Sequence, residues 1–182
     1  AADLARAAGA ELLLVLNASP YRMGKHEQRT AVLRQRVVST GLPVIYANLA
    51  GGQDELVFDG GSFVLDSQGT LLCRLPQFEE ALAIVEFVDG EPRPGNIAAT
   101  PTLEAEVYQA LLLGVRDYLG KNRFPGAIIG LSGGIDSALT LCIAVDALGA
   151  DKVRAVMMPS PYTAEISLAD SREMVHLLGV AY

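Results

Sequence analysis

Between Gly130 and Ser137 the chain reads G-L-S-G-G-I-D-S, a run of small residues interleaved with hydroxyls and one carboxylate. These residue types suit an anion cradle. Gly133 and Gly134 permit positive φ and let main-chain N–H groups approach a ligand without side-chain interference. Ser132 and Ser137 add hydroxyl donors, and a helix starting here contributes unsatisfied N–H groups and a partial positive charge. Asp136 sets the chemistry apart. A bare carboxylate repels phosphate, so an aspartate inside the cradle reads as a ligand for Mg²⁺ that bridges it to the phosphates. No G-x-x-x-x-G-K-[ST] occurs and no lysine follows the glycines, so this is not a Walker A loop. The plainer alternative is a turn with glycine for geometry and Ser or Asp for capping. Capping alone does not call for two adjacent glycines flanked by Ser, Asp and Ser.

Other residues whose types invite chemistry are weaker candidates. Asn17, Ser19 and Lys25 stand at or just beyond the end of an apolar strand, where side chains can face a pocket; alternatively Asn17, Ser19 and Pro20 terminate the strand and Lys25 is a solvated helix start. Asp54, Glu55 and Asp59 lie around turns, where acidic residues are solvated or cap backbone donors, and are given no catalytic role. Cys73 lies on a strand and Cys142 on a helix, neither in a C-x-x-C pair, so both read as small core residues rather than nucleophiles, disulfide partners or metal ligands. His26 and His176 lack ligand spacing and are assigned surface or capping roles.

The elements that must position these groups follow from pattern. Ala1 to Gly9 reads as a helix tail, Glu11 to Leu16 as a buried strand, Lys25 to Ser39 as a helix and Pro43 to Ala47 as a strand. Gly51 to Leu75 reads as short strands punctuated by turn signals, and Leu82 to Val88 as one further strand. Asp89 to Pro101 holds three prolines and two glycines and reads as an interdomain linker. A helix from Thr102 to Lys121 follows. Ala127 to Leu131 reads as a strand buried on both faces, leading through the glycine loop into a helix ending at Leu148. Val153 to Met158 is then a second parallel strand whose end faces the same crevice. Met157, Met158, Ser160, Tyr162 and Thr163 are candidates for a base and ribose there, with strand core as the alternative for the methionines. Leu178 to Tyr182 reads as a helix end capped by Gly179, then a new strand.

Of the 182 residues 51% are hydrophobic, enough for a substantial core. Apolar runs fall far short of the ~20 residues of a membrane span, so no membrane partner is expected. With net charge −7 and no Lys/Arg cluster, nucleic acid is disfavoured as a partner.

S-G-G-I-D-S at Ser132 to Ser137 resembles the pyrophosphate loop of the N-type ATP pyrophosphatases, which cleave ATP between the α- and β-phosphates, adenylate a carbonyl oxygen and let a nucleophile displace AMP. Ala10 to Lys25 and Gln53 to Phe63, with N-A-S-P and G-G-Q-D-E-L-V-F-D-G-G-S, resemble the second half of a nitrilase-type amidase domain. That order is similar to the glutamine-dependent NAD⁺ synthetases. The resemblance implies an α/β fold: the C-terminal part of a nitrilase-like αββα sandwich over 1–88, a linker over 89–101, and over 102–182 the start of a doubly wound parallel-sheet ATP pyrophosphatase domain. It implies ATP contacts at Gly130, Leu131, Ser132, Gly133, Gly134, Ile135, Asp136 and Ser137, Mg²⁺ at Asp136, and glutamine contacts at Ser19 and Lys25. It places the amidase Glu, Lys and Cys upstream of Ala1 and implies a fragment, inactive alone, of a cytoplasmic homo-oligomeric ligase that amidates deamido-NAD⁺. Two alternatives stay open: another amidating or thiolating pyrophosphate-loop enzyme, and a nucleotide-binding module without catalysis.

Overall fold

The computed structural model describes all 182 residues. The chain divides into two compact units, one of Ala1–Gly51 with Leu56–Ala110 and the other of Gly52–Glu55 with Leu111–Tyr182.

The first unit begins with helix α1 (Ala2–Ala7), strand β1 (Leu13–Asn17), helix α2 (Lys25–Thr40) and strand β2 (Val44–Asn48). Glycines at φ +71 and +65, Gly24 and Gly41, bound α2 where the chain must turn left-handed at either end. Strands β3 (Ala50–Gln53) and β4 (Leu56–Asp59) pair with each other. Strands β5 (Phe63–Leu65) and β6 (Leu71–Arg74) complete a four-stranded sheet of order β1-β2-β5-β6. β1 and β2 run parallel, with Leu13 opposite Val44, whereas β5 is antiparallel to both β2 and β6. The β1-α2-β2 crossover lays Val37 and Leu33 on the sheet, where Val44, Tyr46, Phe63 and Leu65 form the core. Tyr46 and Phe63 stack with ring centroids 5.0 Å apart.

β1 is buried on one face only. It is an edge strand, and Leu16 on its outward face is 83% exposed. The expected strand over Leu82 to Val88 reduces to β7 (Phe87–Val88), paired with β8 (Glu91–Pro92). Leu82 and Ile84 are 94% and 92% exposed: their apolar alternation has no neighbouring strand to complete the backbone hydrogen bonds. The proline-rich stretch beyond is anchored along β6, where Gly95 N–H donates to Leu72 O at 2.9 Å. Arg74 N–H donates to Asn96 O at 3.0 Å and Ala98 N–H to Arg74 O at 2.9 Å, and the Arg74 guanidinium also reaches Ala98 O.

Helix α3 (Leu103–Lys121) runs from the first unit into the second, opened by Thr102, whose Oγ1 accepts from Ala105 N–H at 3.3 Å. In the second unit Gly52 N–H donates to Asp117 Oδ2 at 2.7 Å. Strands β9 (Ala127–Gly130) and β10 (Val153–Val156) pair in parallel, Val153 opposite Ala127. Helix α4 (Ile135–Leu148) and a short 3-10 turn (Ala150–Lys152) connect them, and helix α5 (Glu165–Leu178) follows. Leu131, Leu141, Ala144, Val153, Ala155 and Val175 form one core on the helical face. On the other face Ile128 is 72% exposed, so β9 is buried on one face here, not two, because both helices pack on the same side of a two-stranded sheet. Past Gly179 in its left-handed cap, Ala181 bridges to Arg154 in parallel, the beginning of a third strand.

Leu65 sits fully buried in the middle of the first core. Leu65→Ala should lower the stability of this unit by about 2 to 5 kcal/mol, the range for a buried large-to-small change. The chain lacks tryptophan, so urea unfolding followed by circular dichroism is the measurement.

Candidate functional site

The glycine loop is a strand-to-helix turn, as its sequence predicts. Leu131 N–H donates to Val156 O at 2.9 Å, bringing the ends of β9 and β10 together where the loop begins. Ser132 N–H donates to Ser137 Oγ at 3.2 Å, Ser137 Oγ–H donates to Gly134 O at 2.9 Å, and Gly134 N–H donates to Ser132 Oγ at 3.3 Å. The two hydroxyl oxygens lie 3.0 Å apart. Both serines therefore brace the loop from within, and the groups left to meet an anion are the N–H groups of the first turn of α4, which have no intrahelical acceptor. Asp136 lies exposed in that first turn. No group of three or more His, Cys, Asp or Glu side chains is arranged to hold a metal.

The two glycines differ in role. Gly133 has φ +82, but Gly134 sits at φ −94 in extended backbone, so only the first requires a left-handed conformation. A Cβ on Gly133 would lie 2.6 Å from the Cα and carbonyl oxygen of Ser167 in α5, whereas one on Gly134 would sit 3.5 Å from Ser132 Oγ. Gly133 is thus where the loop presses against α5. Beside it a cavity of about 350 Å³ is lined by Gly133, Gly134, Ile135, Asp170, Ser171 and Met174, among others. Ser171 Oγ is buried there with no protein partner. No local pattern marks this residue, since Ser171 lies more than thirty residues from the loop it faces. Of the base and ribose candidates, Met158 and Tyr162 are exposed, which rules out strand core for Met158. Ser160 N–H donates to Thr163 Oγ1 at 2.8 Å in a local turn, and Tyr182 Oη–H donates to Met157 Sδ at 3.4 Å.

In the first unit Asn17, Ser19 and Lys25 do converge, lining a cavity of about 260 Å³ with Arg29 and Tyr46. Lys25 Nζ donates to Gln28 Oε1 at 3.3 Å. Arg29 and Asp59 are the groups that sequence reasoning missed. Asp59 is 0% exposed rather than solvated at its turn, and Arg29 is 6% exposed. Arg29 Nη1 lies 2.8 Å from each Asp59 carboxylate oxygen. The one available signal was that Arg29 falls a helical turn beyond Lys25, on the same face. Burial pushes the Tyr46 phenol above its ordinary range, opposed by the Arg29 charge and by hydrogen bonds from Ser19 and Asn17.

His26 and Cys73 also line up with this unit's interior. His26 is buried, not at the surface, with its ring edge-on to Phe63 at 6.0 Å and Nδ1 unpaired. Cys73 is buried on β6 and Cys142 half-buried on α4; burial pushes the Cys73 thiol up, away from the thiolate a nucleophile requires. Glu106, in the first turn of α3, is likewise pushed above the carboxylate range by burial and by the Asp59 charge, partly opposed by a hydrogen bond with Gln77.

Comparison with known proteins bears on both sites. Residues 2–90 match the carbon-nitrogen hydrolase family and residues 107–182 match NAD synthase. This chain is a carbon-nitrogen hydrolase segment joined to an NAD synthase segment. It is 49% identical over 177 residues to the glutamine-dependent NAD(+) synthetase of Rhodobacter capsulatus, covering 95% of this chain and 32% of that protein. To the glutamine-dependent NAD(+) synthetase of Acinetobacter baylyi it is 47% identical over 174 residues, covering 94% and 32%. It spans about a third of the length of these curated relatives. Among solved structures it superposes with a TM-score of 0.94 and 44% identity on the glutamine-dependent NAD+ synthetase of Acinetobacter baumannii, determined in complex with ADP, covering 98% of this chain and 34% of that one. The Cytophaga hutchinsonii glutamine-dependent NAD(+) synthetase shares the fold at TM-score 0.78 and 20% identity, covering 97% of this chain and 36% of that one. The fold is therefore α/β, a nitrilase-like segment followed by an NAD synthase segment. No helix is long and apolar enough to cross a membrane.

Two predictions follow from packing and burial. Gly133→Ala should destabilise the second unit, because both the positive φ and the Ser167 backbone oppose a side chain, while Gly134→Ala should leave folding intact. Thermal melts of the two variants separate them. His26 holds its proton less tightly than an ordinary histidine, through burial first and then the charges of Arg74 and Arg29, with Asp59 and Glu27 acting in the opposite sense. The unfolded chain therefore binds more protons, and the stability gained from neutral His26 is complete above about pH 6.5 and is lost as pH falls below it. His26→Gln should flatten the decline in melting temperature between about pH 7 and pH 5, measured against the parent chain.

Proposed function

We propose that this chain is the junction segment of a glutamine-hydrolysing NAD⁺ synthetase, in which ATP activates the carboxylate of deamido-NAD⁺ and ammonia drawn from glutamine displaces AMP. The observation that carries it is the pairing, in one chain, of a pocket holding Ser19 and Lys25 within the hydrolase segment and a braced glycine loop opening α4 within the NAD synthase segment. The Acinetobacter baumannii relative, solved in complex with ADP, supports an adenine nucleotide as a ligand of the parent protein.

In this reading Ser19 and Lys25 orient glutamine, Lys25 supplying a positive charge for its carboxylate. The N–H groups opening α4 receive the phosphate oxygens, with Gly130, Leu131, Ser132, Gly133, Gly134 and Ile135 shaping the approach and Ser137 holding the turn. Asp136, exposed in the first turn of α4, would share a Mg²⁺ ion with those phosphates, its hard oxygen suiting the cation, with phosphate and water filling the remaining positions. Mg²⁺ bound there would neutralise charge on the departing pyrophosphate.

The test uses the full-length protein and two nitrogen sources. Ser19→Ala should depress glutamine-driven NAD⁺ formation and spare the ammonium-driven reaction. Asp136→Asn should lower both by on the order of a hundredfold, the loss typical of one key electrostatic group, and should raise the Mg²⁺ concentration required. Equal losses from Ser19→Ala with both nitrogen sources, or an unshifted Mg²⁺ dependence in folded Asp136→Asn, would overturn the corresponding assignment.

A further inference from the structure

The Arg29 guanidinium uses every hydrogen it has. Nη1 donates to both oxygens of Asp59 at 2.8 Å, Nη2 donates to the carbonyls of Ser19 at 2.7 Å and Pro20 at 3.0 Å, and Nε donates to Ser19 Oγ at 3.1 Å. Three of the five bonds thus run to the Ser19–Pro20 turn and two to a carboxylate that water does not reach. Asn48 braces the same turn from the sheet: Ser19 N–H donates to Asn48 Oδ1 at 2.9 Å, and Asn48 Nδ2 donates to Ser19 O at 3.3 Å and Gly60 O at 3.2 Å. Gln77 Nε2 donates to Asp59 Oδ2 at 3.2 Å and fixes the carboxylate in turn.

A structural ion pair needs none of this direction. An arginine has no acceptor atom, so Ser19 Oγ accepts on the Arg29 side, and the Tyr46 hydroxyl is its other hydrogen-bond partner at the pocket. The Ser19 hydroxyl is thereby held at the pocket wall with one acceptor site already filled by Arg29. We infer that Arg29, locked by Asp59, is the positioning residue of the glutamine pocket, fixing the place of Ser19 through both its hydroxyl oxygen and its carbonyl. The inference rests on the assignment of this pocket to glutamine. Arg29 acts through Ser19 and does not itself meet the substrate.

A double-mutant cycle in the full-length protein tests it, with KM for glutamine as the readout and each variant's rate normalised to its own ammonium-driven rate. Arg29→Lys keeps the charge and removes the fork, since an ammonium cannot reach Asp59, two carbonyls and a hydroxyl at once. It should raise KM about tenfold, the scale of one lost hydrogen bond to a charged donor. Ser19→Ala with Arg29→Lys should raise KM no further than Ser19→Ala alone, to within about twofold, because the arginine has nothing left to position. If Arg29→Lys does not fold, the neutral pair Arg29→Gln with Asp59→Asn, which leaves no uncompensated buried charge, enters the same cycle. Multiplicative effects of the two changes, or an unchanged KM in Arg29→Lys, would overturn the positioning role while leaving glutamine in the pocket. No effect of Ser19→Ala on KM would remove glutamine from the pocket and the inference with it.

Discussion

The functional end of the first unit hangs on a charge that cannot reach water. Once the β1-α2-β2 crossover folds Arg29 inward, its guanidinium must find acceptors for all its hydrogens inside the protein, because an unpaired buried charge costs several kcal/mol. Asp59 neutralises it, and the two carbonyls of the Ser19–Pro20 turn and the Ser19 hydroxyl take the rest. That requirement fixes the relative positions of the turn after β1, the N-terminal part of α2 and the end of β4. These elements are otherwise joined by loops that would leave the turn free to vary. Replacing the pair by apolar side chains can stabilise a core, but it would remove the directed hydrogen bond to Ser19 Oγ. The ion pair is better understood as a device for placement than as a source of stability.

The second unit meets a different constraint, and meets it with local means. The loop between β9 and α4 must turn a strand into a helix within a few residues and leave the helix's first N–H groups accessible. Two serine hydroxyls do this by bonding to each other and to the loop's own backbone. Gly133 does the rest: its left-handed backbone lets the chain turn, and its missing side chain lets Ser167 close against it. A carboxylate in the first helical turn complements the helix dipole, so Asp136 is tolerated there electrostatically whether or not a cation lies beside it.

The two sites thus differ in what holds them. The turn at Ser19 is held by Arg29, Asn48 and Asp59, groups far apart in the chain and largely withdrawn from solvent, whereas the glycine loop is held by its own neighbours and left exposed. Separate constraints thus hold the two candidate sites, which follow the order of the hydrolase and NAD synthase segments.

Sequence alone determined whatever depends on short separations. The loop from Gly130 to Ser137, the helix from Lys25, the helix from Leu103 and the strand-to-helix turn are written in periodicity, glycine placement and capping residues, all set by contacts within a few positions. The convergence of Asn17, Ser19 and Lys25 was readable too, since a strand end and the next helix start are bound to lie close. Tertiary structure decided the rest. Asp59 looks like any turn aspartate until Arg29, thirty residues away, is seen against it, and His26 looks like a surface histidine until Phe63 and Gly61 close over its ring. Exposure of Leu16, Leu82 and Ile128 was equally hidden, because an apolar alternation states which face prefers to be buried, not whether anything covers it. Side-chain type encodes a preference; only the folded chain supplies the partner that satisfies it.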